Sequence, residues 1–90
     1  MKDIEKDSLF HFPCIFPIKV MGENTDELYP VVSAIMEKHV EGLDGVTFES
    51  RLSSGGKYLS ITVTFTAQSK AQLDAIYLAL NRHDLVLMTL

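Results

Sequence analysis

The sequence predicts an α+β sandwich with a βαββαβ order: a four-stranded antiparallel sheet in strand order 4-1-3-2, two helices on one face, and the other face open. Three observations predict it. Residues 58–66 alternate apolar Leu59, Ile61, Val63 and Phe65 with Tyr58, Ser60, Thr62, Thr64 and Thr66, the period-2 signature of a strand buried on one side. Two stretches with apolar residues at helical spacing each follow a strand pattern. Paired glycines at 55 and 56 separate the second strand from the third, and glycine takes the positive φ that tight hairpin turns require.

The elements follow in order. Residues 1–11 are polar, then apolar, with no clear period, and read as a mobile arm before a single domain over 12–90. Residues 14–21 read as the first strand, with Phe16, Ile18 and Val20 on one face and Ile15, Pro17, Lys19 and Met21 on the other. Pro17 lacks a backbone donor and belongs at an edge or a bulge, which sits awkwardly in a central strand. Gly22 ends the strand. Asn24 or Thr25 is expected to cap a helix, with Asp26 and Glu27 in its first turn, where the helix dipole favours carboxylates. Leu28, Val31, Val32, Ile35 and His39 form its apolar stripe. Pro30 is expected to bend the helix slightly near its start, and the helix should stop by Glu41, before Gly42.

Residues 46–53 read as the second strand, with Val46 and Phe48 alternating against Thr47, Glu49 and Arg51. Ser54-Gly55-Gly56-Lys57 reads as the hairpin turn. Ser69 and Gln72 have the spacing of a capping box, followed by the stripe Leu73, Ile76, Tyr77 and Leu80. Residues 84–90 read as the fourth strand, with Val86, Met88 and Leu90 on one side and Leu85, Leu87 and Thr89 on the other. Two right-handed strand–helix–strand crossovers joined by a hairpin give the 4-1-3-2 order. A sheet covered on both faces would not carry a row of hydroxyl side chains on a central strand.

Composition narrows the function classes. Apolar residues make up 47% of the 90 residues, ordinary for a globular domain and too high for disorder. A chain of this size buries only about 60–65% of its unfolded surface, so each apolar stripe matters. Cys14 is the single cysteine, so no intrachain disulfide can form. One thiol and a charged start without an apolar leader point to the cytoplasm, and no apolar run approaches the ~20 residues of a membrane helix. Eight Lys and Arg against twelve Asp and Glu give a net charge of −4. Nucleic-acid affinity comes largely from cations on phosphates, and the two central strands expose only Tyr58 as a stacking aromatic. Neither nucleic acid nor membrane is expected as a partner.

Phe12-Pro13-Cys14-Ile15-Phe16-Pro17-Ile18-Lys19-Val20-Met21-Gly22, the turn Ser53-Ser54-Gly55-Gly56-Lys57-Tyr58, and the closing Leu85-Val86-Leu87-Met88-Thr89-Leu90 resemble the bacterial YbeD-like family over roughly residues 9–90. The resemblance implies a small cytoplasmic domain of uncharacterised function, with a ferredoxin-like fold similar to the amino-acid-binding ACT domains. Some members are labelled lipoic acid-binding regulatory proteins. Glu23-Asn24-Thr25 after Gly22 is less glycine-rich than an ACT ligand loop.

No catalytic apparatus is recognisable, and the chain is read as a non-enzyme without a cofactor. His11, His39 and His83 match no zinc spacing, and one cysteine cannot complete a thiolate site; His39 and His83 fall near helix ends, where a cation complements the dipole. Cys14 with His11 nearby lacks any sign of an activated thiolate. Ser53 to Lys57 could cradle a phosphate in its amides, but it joins two strands and lacks the P-loop spacing. The open sheet face is the most informative surface. Lys19, Met21, Gly22, Tyr58, Ser60, Thr62, Leu85 and Leu87 are expected to gather there, a cation among hydroxyls beside an apolar strip that also takes in Ile15. Three uses stay open: a solvated face, a docking surface for a protein or a second copy, and a pocket for a carboxylate with an aliphatic tail, as an amino acid or a lipoate-like acid would offer.

Overall fold

The structure is a computed structural model that describes residues 11–90; the expected N-terminal arm lies almost wholly outside the described residues. The elements are β1 (Cys14–Glu23), α1 (Leu28–His39), β2 (Thr47–Leu52), β3 (Tyr58–Ala67), α2 (Lys70–Arg82) and β4 (Met88–Thr89). The sheet runs β2-β3-β1-β4, the predicted order, and its pairings are antiparallel.

Alternation along β1 and β3 sets the two faces. Ile18 and Val20 pair with Val63 and Ile61, and these four are fully buried beneath the helices together with Leu28, Val32, Met36, Ile76 and Leu80. Their neighbours Lys19 and Thr62 pair on the opposite face. On α1 the buried line is Leu28, Val32 and Met36. Ile35 packs beside it, and His39 is half-buried at the helix end. Met36 belongs to the same stripe, one turn beyond Val32.

Helix starts differ in kind. Ser69 caps α2 as predicted, its Oγ accepting the Gln72 amide at 3.1 Å. The return bond is displaced by one residue: Gln72 Oε1 accepts from the Gln68 amide at 2.7 Å, and its Nε2 donates to the His39 carbonyl at 2.8 Å. Gln72 thus ties the start of α2 to the end of α1. At α1 the cap position is Glu27, without a side-chain bond. Thr25 Oγ1 accepts the Glu27 amide at 3.3 Å one turn earlier, so Asp26 and Glu27 precede the helix and do not sit within its first turn. Pro30 is the third helical residue, and the first helical bond is Val31 N–H to the Glu27 carbonyl, 3.2 Å. A residue at that position has no carbonyl to donate to within the helix, so the proline removes nothing and no bend has to follow.

Pro17 is accommodated by the shortness of β4. The Lys19 amide donates to Leu90 O at 3.1 Å, on the β4 side of β1. Pro17, two residues earlier, turns its nitrogen to that same side, where β4 pairing has already stopped. Among the described residues, a strand that is central at Val20 is therefore an edge at Pro17, a place where proline fits.

The hairpin reads as expected. Gly55 and Gly56 have φ of 89° and 76°, and the Ser53 carbonyl accepts the Gly56 amide at 2.8 Å. Asn24 locks the turn to the end of β1, its amide donating to Lys57 O at 2.9 Å and its Nδ2 to Gly56 O at 3.1 Å. The fourth strand is shorter than the predicted 84–90, being regular only at Met88 and Thr89. Leu87 N–H to Met21 O and Leu90 N–H to Lys19 O, both 2.8 Å, extend its contact with β1.

Two outcomes test this arrangement. Ile61→Ala should lower unfolding free energy by about 2–5 kcal/mol, whereas Thr62→Ala should change it by no more than about 0.5 kcal/mol, measured by urea denaturation. Tyr77 donates its hydroxyl to Leu90 O at 3.3 Å, and burial raises its pKa above the ordinary 10.0. The neutral phenol is the form the fold favours, so its contribution to stability is complete below pH 10 and falls as pH rises through the elevated value. Alkaline denaturation should therefore be less steep in Tyr77→Phe than in the unsubstituted protein.

Candidate functional site

The register places the side chains of the open face in rows. One row runs Glu49–Thr62–Lys19 across β2, β3 and β1, with Leu90 hydrogen-bonded beside Lys19. The next runs Arg51–Ser60–Met21–Met88. Tyr58 pairs with Glu23 at one end, and Thr66 with Ile15 at the other. Small hydroxyls on β3 form a floor between longer side chains on β1 and β2. The result is a shallow cleft of about 380 Å³ lined by Lys19, Glu49, Ser50, Arg51, Ser60 and Thr62. Arg51 and Ser60 are shared with a second, more apolar cleft of about 200 Å³, which adds Met21, Leu52, Ser53 and Tyr58.

Of the predicted surface, the structure brings together Lys19, Met21, Tyr58, Ser60 and Thr62 on the open face. Gly22, Leu85 and Leu87 do not join them. Gly22 is buried and shares the parity of Ile18 and Val20. A Cβ there would collide with the Leu85 backbone oxygen and press on the Leu28 side chain, so this glycine lets the 83–87 segment close over the sheet edge. Leu85 packs against the core, and its amide donates to His83 Nδ1 at 3.1 Å. Leu87 is exposed but lies before the regular strand, in the parity of Thr89, which pairs with buried Val20. The apolar strip beside Lys19 and Met21 is built instead by Met88 and Leu90, 49% and 66% exposed. The predicted alternation holds only over residues 88–90, with its faces exchanged; before the regular strand it breaks, because Val86 is buried beside Leu85 while Leu87 is exposed.

The other candidates fall into structural roles. Cys14 pairs with Ala67 on the helix side of β1, and His11 is exposed. His39 ends α1, and His83 caps α2 while accepting the Leu85 amide. Among the described residues no group of three His, Cys, Asp or Glu could hold a metal, and no helix is long and apolar enough to cross a membrane. The amides of Ser53, Gly56 and Tyr58 are taken by bonds within the hairpin.

Sequence reasoning missed a further cleft of about 530 Å³ at the opposite end, lined in part by His39, Glu41, Asp44, Thr66 and Gln72. Its signal was the Glu41-Gly42-Leu43-Asp44-Gly45 connection, where Gly42 and Gly45 adopt positive φ. Gln72 on its wall is committed to the bonds that join the two helices.

An open-faced βαββαβ sandwich with a hydroxyl-floored sheet and a mixed-charge cleft defines the class. Comparison with known proteins gives the family. Residues 7–90 match the model described as a protein of unknown function, DUF493, and the chain belongs to that family. A UPF0250 protein of Chromobacterium violaceum is 45% identical over 86 residues, covering 96% of this chain and 97% of its own. The UPF0250 protein of Nitrosomonas europaea is 41% identical, covering 94% and 98%. Helicobacter pylori HP0495, solved in solution, superposes with a TM-score of 0.74 at 18% identity, covering 90% of this chain and 85% of that one; this likeness speaks for the fold.

Gly22 tests the corrected site. Gly22→Ala should destabilise the protein by several kcal/mol, since backbone and not a flexible side-chain end stands in the way. Lys19→Ala should leave the melting temperature within a degree or two.

Proposed function

We propose that the protein is a small regulatory or adaptor module that works by protein contact through the open face of its sheet. The observation that carries this reading is the composition of the face. Exposed Ile15, Met88 and Leu90 border a centre of hydroxyls and charges, and no described element of the chain lies over it. Apolar anchors beside polar, hydrogen-bonding groups are what a non-obligate interface presents. A residue at the centre of such a face is exposed in the free protein and shielded in a complex. Thr62→Arg should therefore abolish contact with any specific partner without unfolding the domain. Leu78→Arg, on the outer side of α2, should leave that contact intact. The measurement is partner retention by affinity capture with the two variants side by side, and retention by Thr62→Arg would remove the open face from the account.

A second reading has its own observation. Lys19 and Arg51 line one cleft with Ser60 and Thr62, beside the apolar cleft of Met21, Leu52 and Tyr58. That arrangement suits a carboxylate with an aliphatic tail, such as an amino acid or a lipoate-like acid. A ligand that binds only the folded state raises the melting temperature in proportion to its occupancy. Leucine, methionine or lipoate at millimolar concentration should then raise it, and Lys19→Ala should cancel the rise; no shift with any of the three speaks against a sensor.

A further inference from the structure

We infer that the open face is self-complementary and packs on the open face of a second copy, about a twofold axis running along β3. This inference rests on the reading of that face as a contact surface and names its occupant.

The order of charges on the face carries it. The charged side chains in the open-face rows are Lys19 and Glu23 on β1 and Glu49 and Arg51 on β2, all exposed. Lys19 and Glu49 share a row, one on each side of Thr62. Moving along the sheet from that row, β1 reads positive then negative and β2 reads negative then positive. The two strands flank β3 at one strand spacing each, about 4.8 Å. A twofold rotation along β3 exchanges the β1 and β2 columns and preserves height. It therefore lays Lys19 over Glu49 of the second copy, and Glu49 over its Lys19. Arg51 comes over Met21, within one row of Glu23. Ser60, Thr62, Thr64 and Thr66 face their own equivalents along most of the axis, and the one bulky β3 side chain on this face, Tyr58, meets its equivalent at the end beside Glu23. Within one sheet Lys19 and Glu49 stand two strands apart, on either side of Thr62, and the ion pair between Lys70 and Asp74, 3.1 Å, belongs to α2 on the other side of the sheet.

The same four charges argue against other occupants. They sum to zero, so a strongly acidic or basic partner would meet as much repulsion as attraction. Only a surface with the matching alternation satisfies all of them, because like charges facing each other across an interface repel. β3 overlaps its equivalent over ten residues and each β2 covers the other copy's β1 over six, strips of about 33 and 20 Å, an area below that of standard specific interfaces and in the range of weak, transient contacts. The pairing is therefore weak and concentration-dependent, and it loosens as salt screens the exposed charges.

Sedimentation equilibrium from 10 µM to 1 mM tests it. The mass should rise from 10.1 kDa toward twice that value. Glu49→Lys and Lys19→Glu should each weaken association at least tenfold, because each sets like charges against one another. Mixing the two variants in equal amounts should restore it, since both cross-copy pairs are then opposite in sign. The inference is overturned if the protein stays monomeric at 1 mM. It is also overturned if both variants associate like the unsubstituted protein, or if the mixture associates no better than either alone. A monomer would leave the contact reading standing on the Thr62→Arg test, with a different partner.

Discussion

The ladder between β1 and β3 pairs Cys14 with Ala67 at one end and Glu23 with Tyr58 at the other, and the rest of the molecule is arranged around its register. Side chains alternate across a strand, so a shift of β3 by one residue against β1 would exchange the two faces of β3. It would push Ile61 and Val63 toward water and Thr62 and Thr64 beneath the helices. Burying those two hydroxyls without partners would cost on the order of 1–3 kcal/mol each, in addition to the lost apolar burial. In the observed register the covered side of the ladder is wholly apolar, and among the described residues no buried polar side chain lacks a partner. The hydroxyls are left outside because nothing inside could satisfy them, and the surface that remains for binding follows from that.

The two ends of the ladder are finished differently. Near Gly22 three segments converge: the hairpin through Asn24, the start of α1 through Leu28, and the 83–87 segment through the Leu85 carbonyl. Near Pro17 no described strand pairs with the β4 side of β1, and the proline blunts that side against templating another strand. The chain thus holds one end by close packing and protects the other with a residue that cannot donate.

Much of this was legible in the sequence, for local reasons. The β3 alternation, the paired glycines and the Ser69 cap each depend on residues within a few positions of one another, and each was read correctly. Strand order followed from the order of elements alone. What was illegible depended on contacts distant in the chain. The faces of β4 are set by where its short pairing with Val20 and Met21 begins, and an alternating apolar run reads equally well in either phase. Gly22 looked like a turn residue because the carbonyl that requires it arrives from more than sixty positions away. The cap of α1 was misplaced because Asn24 is drawn to the hairpin and Thr25 closes a turn before the helix. The Pro17 conflict resolved only when β4 proved too short to reach it.

Family membership places the chain among proteins of unknown function, so its chemistry has to be argued from the face the ladder exposes. That face combines a hydroxyl floor, four charges that cancel, and an apolar border contributed by Met21, Met88 and Leu90. Each property holds only in one register. Cross-strand nuclear Overhauser effects in uniformly labelled protein measure that register directly. The account predicts backbone contacts linking Ile18 to Val63 and Val20 to Ile61. Contacts linking Ile18 to Thr62 or Thr64 instead would contradict it, and the hydroxyl side of β3 would then lie on the covered face.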